Sequence, residues 1–63
     1  MSIIQAFLIA GRTDEQKARL IAGLTDAAVN VLAIDKQQVR VIIKDIPNTD
    51  FGIGGVTAKA LGR

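Results

Sequence analysis

Ser2-Ile3-Ile4-Gln5-Ala6-Phe7-Leu8-Ile9 is apolar at every position but Ser2 and Gln5. The run is rich in β-branched residues, and Gly11 stops it too early for a buried helix, so it reads as a strand. Apolar side chains on both sides of the pleat predict a strand buried on both faces, with parallel neighbours. The strand also starts at the chain terminus, so whatever holds it holds the main-chain amine beside a packed core. An α-amine titrates at about pH 7.7–8.0, near enough to neutrality for proton transfer.

Ala10-Gly11-Arg12 follows as a turn, and Thr13 opens a helix. The Thr13 hydroxyl is placed to accept from a free N–H of the first turn, and Gln16 to reach back to the Thr13 N–H, a capping box. Asp14 and Glu15 put negative charge at the positive end of the helix dipole. Leu20, Ile21, Leu24, Ala28, Val31 and Leu32 recur at three- and four-residue steps and predict one apolar face against a sheet, with Lys17 and the other charged residues mostly elsewhere. The helix is expected over residues 14–32. Gly23 weakens it by up to ~1 kcal/mol relative to Ala and marks a candidate close contact with a helix or the sheet.

After a loop at residues 33–38, Val39-Arg40-Val41-Ile42-Ile43-Lys44 is the second strand. Two strands joined by a helix of this length form a β-α-β unit, with parallel strands and a right-handed crossover. Residues 45–50, with Pro47 and Asn48, read as a turn. Phe51-Gly52-Ile53-Gly54-Gly55 has too many glycines for a helix and predicts a tight hairpin or bulge with Phe51 and Ile53 as plugs. Residues 56–63 form a short tail, with one more strand expected to add to a neighbouring subunit.

At 63 residues the chain is one domain at most. A domain this small buries only about 60% of the surface its unfolded chain exposes. Such scaffolds need disulfides, a metal or self-association, and the chain has no Cys and no His. With 49% hydrophobic residues, a homo-oligomer that shares its core is the economical answer. A net charge of +2, with no Tyr or Trp, argues against a nucleic-acid partner. No apolar run reaches the ~20 residues a bilayer requires, and the start of the chain lacks the pattern of a signal peptide. The expected location is cytoplasmic, with no membrane partner.

The chemistry-bearing residues are few. Without His or Cys there is no Cys/His pair and no Ser-His-Asp arrangement. No metal site is expected. The six acidic residues, Asp45 among them, are assigned to helix faces or loops. Gly52–Gly55 lacks the Lys-Ser/Thr and the helix that follow a phosphate loop. Arg12 and Arg40 stand out. Arg12 follows a strand end, and Arg40 lies within an apolar strand, where a charge is costly unless paired. Either guanidinium can grip a carboxylate through two parallel hydrogen bonds. The plainer reading pairs Arg40 with Asp or Glu at a subunit contact and leaves Arg12 in solvent.

Ser2-Ile3-Ile4-Gln5, Gly11-Arg12-Thr13-Asp14-Glu15-Gln16-Lys17, Val39-Arg40-Val41-Ile42-Ile43 and Phe51-Gly52-Ile53-Gly54-Gly55 together resemble the small 4-oxalocrotonate tautomerases, from residue 2 to about residue 60. The resemblance implies a single tautomerase-like domain over residues 1–63, an α/β fold of β-α-β type with a C-terminal β-hairpin, its parallel strands completed by oligomerisation into a hexamer (a trimer of dimers). It implies a cofactor-free isomerase that converts 2-hydroxymuconate-type dienols to conjugated 2-oxo acids in the degradation of aromatic compounds. In that family Met1 is removed and an N-terminal proline carries a proton between carbons. Arg12 matches the arginine that binds the far carboxylate. Arg40 matches one supplied by a neighbouring subunit, which binds the 2-oxo and carboxylate end. Phe51 matches an apolar wall that keeps the amine's pKa low, the direction burial imposes on an ammonium.

Position 2 departs from the family: it is Ser, not Pro. If Met1 is removed, Ser2 offers a primary amine with no ring to fix its φ. If Met1 stays, the amine moves about 3.8 Å along the chain and the Ser2 nitrogen becomes a neutral amide. The Ser2 hydroxyl has no His to activate it. Two functions are carried forward. One is a 4-oxalocrotonate tautomerase-like enzyme, weak or altered at Ser2, working on a small dicarboxylate or 2-oxo acid. The other is a catalytically inactive dicarboxylate-binding or structural oligomer, natural or engineered, that keeps the arginine pocket.

Overall fold

The computed structural model describes residues 1–63. Strand β1 (Ser2–Ile9) and strand β2 (Val39–Ile46) pair in parallel, and helix α1 (Asp14–Leu32) joins them as the crossover. A 3₁₀ turn at Lys36–Gln38, capped by the Asp35 side chain accepting from the Gln37 N–H, leads into β2. Two short antiparallel strands, β3 (Gly52–Ile53) and β4 (Val56–Thr57), make a separate C-terminal hairpin. This is the β-α-β fold with a hairpin that the sequence predicts.

The expected capping box is present: the Thr13 hydroxyl accepts from the Gln16 N–H at 3.1 Å, and the Gln16 side chain accepts from the Thr13 N–H at 3.0 Å. The helix stops at Leu32 because Ala33 turns left-handed, at φ 54°, and its N–H closes back on the Val29 carbonyl at 3.0 Å. In the hairpin, Gly54 and Gly55 both have positive φ, 61° and 86°. That pair of values matches the right-handed twist of the flanking strands, and glycine adopts both at no steric cost.

Register decides which side chains meet. Ser2 lies opposite Val39, Ile3 opposite Arg40, Leu8 opposite Asp45, and Ile9 opposite Ile46. Strand side chains alternate between faces. One face carries Ser2, Ile4, Ala6 and Leu8 beside Val39, Val41, Ile43 and Asp45, and α1 packs on it. The other face carries Ile3, Gln5 and Phe7 beside Arg40, Ile42 and Lys44, and nothing in the chain covers it.

Several expectations change. Within the single chain β1 is covered on one face only: Ile3 is 62% exposed and Phe7 64%, because one helix can cover only one side of a two-stranded sheet. On α1, Leu20, Leu24 and Ala28 face inward as expected, joined by Val29, whereas Ile21, Val31 and Leu32 are exposed. The sheet is two strands wide, too narrow to underlie the whole apolar stripe. Gly23 has open space where a Cβ would sit, so it marks no close contact within the chain. β2 runs two residues further than expected, through Asp45 and Ile46, because the Ala10 N–H donates to the Ile46 carbonyl at 2.8 Å and prolongs the ladder. Within the chain, Val56–Thr57 pairs back on Gly52–Ile53, and the Ala58 and Lys59 N–H groups donate to the carbonyls of Phe51 and Asn48.

Only Ala28, Val39 and Ala58 are buried. The chain exposes 4726 Å², whereas a compact monomer of its 6.7 kDa exposes about 3,900 Å².

Candidate functional site

Ser2 opens β1 beside Val39, and the next rung sets Ile3 against Arg40. Arg40 lies on the uncovered face, where strand alternation puts it, and its guanidinium donates to the Gln37 carbonyl of the 3₁₀ turn. Start of chain and Arg40 therefore share one end of the sheet.

Arg12 belongs to the other end. Gly11, at φ 132°, bends the chain out of β1, and the capped Thr13 sends it into α1. Arg12 is exposed, and its Nη1 donates to the Ile9 carbonyl at 3.0 Å. Phe51 lies beyond the same end, past the turn in which the Asp50 N–H donates to the Pro47 carbonyl at 2.8 Å. Phe51 is 38% exposed, and its carbonyl accepts from the Ala58 N–H at 2.7 Å.

The separation follows from the ladder. Arg40 is opposite Ile3, and Arg12 lies beyond Ile9, six rungs away. At a rise of about 3.3 Å per residue that is roughly 20 Å. With Arg12 held on the Ile9 carbonyl and Arg40 on the Gln37 carbonyl, beyond opposite ends of that span, a small dicarboxylate does not bridge the two in one chain, and the single chain has no pocket. Neither arginine has a carboxylate partner: the ion pairs are Lys17–Asp45 and Glu15–Arg19. Arg40 carries its charge at low cost because its face is open to water, not because an acid neutralises it. Each guanidinium has donors left for an anion, in the planar fork that suits a carboxylate. No group of acidic residues is arranged to hold a metal ion.

Lys17 and Asp45 lie between α1 and β2, not on an outer helix face and in a loop as their sequence positions suggest. Lys17 is half-buried on the sheet side of α1, and its Nζ donates to Asp45 Oδ2 on the helix-facing side of β2. The signal was present: carrying the alternation Val39, Val41, Ile43 two residues further reaches Asp45, and Lys17 stands three and seven residues before Leu20 and Leu24. The second oxygen, Asp45 Oδ1, is buried with no hydrogen-bond partner.

The family model described as "Tautomerase enzyme" matches residues 3–61. The 2-hydroxymuconate tautomerase of Stutzerimonas stutzeri is 46% identical over 63 residues, the full length of both chains. Among solved structures, apo unfused 4-OT superposes with a TM-score of 0.91 at 63% identity, covering 95% of this chain and 98% of that one. A wild-type fused 4-OT, solved as an asymmetric trimer, superposes with a TM-score of 0.94 at 61% identity, covering 97% of this chain and 50% of that one.

Proposed function

The chain belongs to the tautomerase family, and we propose that it moves a proton between atoms of a 2-hydroxymuconate-type dicarboxylate, in a site built from more than one copy. It is an isomerase related to the 2-hydroxymuconate tautomerases. The observation that carries the finer reading is the placement of the arginines. Both are exposed, both lack an acidic partner, and they stand at opposite ends of the sheet. They converge on one small anion only when Arg12 of one chain meets Arg40 of another.

In this reading Arg12 binds the far carboxylate, and Arg40 binds the 2-oxo and carboxylate end and draws electron density from it. Phe51 supplies an apolar wall. The nitrogen at position 2 holds the relocating proton. No cofactor takes part. Ser2 is a poorer group there than proline, so turnover is weak, and the parallel reading is an oligomer that binds dicarboxylates without converting them. The two are separated by following 2-hydroxymuconate by absorbance and muconate binding by calorimetry. Binding with turnover above the buffer rate supports the enzyme, binding alone supports the inactive oligomer, and neither removes the arginine clamp. The proposed work belongs to the degradation of aromatic compounds in the cytoplasm. Separately, no helix is long and apolar enough to cross a membrane.

Self-association has its own support. The surface in excess of a compact monomer is roughly 800 Å², about what one partner contributes to a standard interface. The uncovered sheet face exposes Ile3, Phe7 and Ile42 together. A homohexamer is the expected state. Phe7→Asp puts a charge into that face and replaces about 1.5–3 kcal/mol of burial per subunit with a desolvation cost. Sedimentation should show the assembly breaking to smaller species, and an unchanged mass would place the interface elsewhere.

A further inference from the structure

The Lys17–Asp45 pair sits where the proposed clamp needs stiffness. The Ala10–Thr13 turn that carries Arg12 is tied to β2 on both sides. Before Arg12, the Ala10 N–H donates to the Ile46 carbonyl. After it, one helical turn beyond Thr13, Lys17 pairs with Asp45, the neighbour of Ile46. Between the ties lies Gly11, at φ 132°, with no Cβ to restrict it. Arg12 itself is held by one hydrogen bond, to Ile9.

The pair is the only side-chain hydrogen bond that joins α1 to the sheet. The apolar contacts of the helix begin one turn later, at Leu20, and continue through Leu24 and Ala28. The first turn of α1 is thus fixed to β2 through charge, not through packing. Half-buried as it is, at 27% and 36% side-chain exposure, the pair resists screening better than an exposed one such as Glu15–Arg19, at 75% and 77%.

We infer that Lys17 and Asp45 are positioning residues for Arg12: they anchor the start of α1 to β2 and so set where the Arg12 guanidinium stands toward the carboxylate it binds. This rests on the reading of Arg12 as a carboxylate ligand, and the test separates the two.

Muconate binding is measured by calorimetry on the assembled protein, for the chain as it stands and for Arg12→Ala, Asp45→Asn, Lys17→Met and the charge-exchanged pair Lys17→Asp with Asp45→Lys. Asp45→Asn and Lys17→Met are each expected to weaken binding about fivefold, and the charge-exchanged chain to recover most of that loss. In the Arg12→Ala background Asp45→Asn should change nothing further, because there is no guanidinium left to place. A purely structural role would move the unfolding temperature in both backgrounds and weaken binding equally in both. Asp45→Asn without effect, or with the same loss when Arg12 is absent, overturns the positioning role while leaving the clamp intact. Arg12→Ala without effect overturns the clamp and the inference with it. If Asp45→Asn fails to fold, the charge-exchanged chain decides: folded but no tighter than Lys17→Met, it too overturns the inference.

Discussion

Ser2→Pro, with Met1 removed, is expected to convert 2-hydroxymuconate at least ~10²-fold faster than the Ser2 chain, the lower end of what restoring a general base returns. β1 begins at residue 2, one rung before the Ile3–Arg40 pair, so residue 2 stands at the first rung of the sheet, where the chain's own amine is fixed once Met1 is gone. A proton carrier there must have a free lone pair and a fixed direction. A primary amine meets the first condition but rotates about φ. A retained Met1 would turn the nitrogen into an amide and remove the lone pair. Proline supplies a secondary amine with φ held at about −65°. The first position of a strand tolerates it, because the missing N–H breaks no interior ladder. The check is the initial rate by absorbance, with intact mass recorded for both chains. Equal rates from two chains that both lack Met1 would show that residue 2 is not the proton carrier.

The second large effect concerns where the arginines come from. Removing either guanidinium takes away charge-assisted hydrogen bonds worth about 1.5–3 kcal/mol, so Arg12→Ala and Arg40→Ala should each weaken muconate binding roughly 10- to 100-fold. Mixing them discriminates further. If Arg12 and Arg40 of one site belong to different chains, unfolding the two variants together in equal amounts and reassembling them restores about one site in four by random pairing in a symmetric oligomer. If both came from the same chain, every site would lack one arginine and the mixture would bind no better than its parts. The six rungs between Arg40 and the end of β1 make the first outcome the expected one. Titrating the number of tight muconate sites per chain settles it.

How far the residues alone reached can be judged element by element. The capping box at Thr13 and Gln16, the bounds of α1 and the strand character of residues 2–9 follow from local chemistry: a hydroxyl at the right spacing, an apolar period, a glycine stop. The hairpin was legible too, because consecutive glycines permit a backbone that other residues avoid. The roles of Ser2, Arg12, Arg40 and Phe51 were not readable from their spacing. They came from the motifs shared with one family, and the mutations above are what test them.

What the sequence by itself determined is which segments become strand, helix and turn, since capping, periodicity and glycine content act within a few residues. Only the tertiary structure decided which side chains meet. Parallel register placed Arg40 on the open face at the Ser2 end and drew Asp45 beneath Lys17. Helix coverage left Ile3 and Phe7 bare although their own strand is as apolar as a buried one. The reason is that burial and pairing are relations between segments distant in the chain, and a sheet of two strands has a second face that one helix cannot reach.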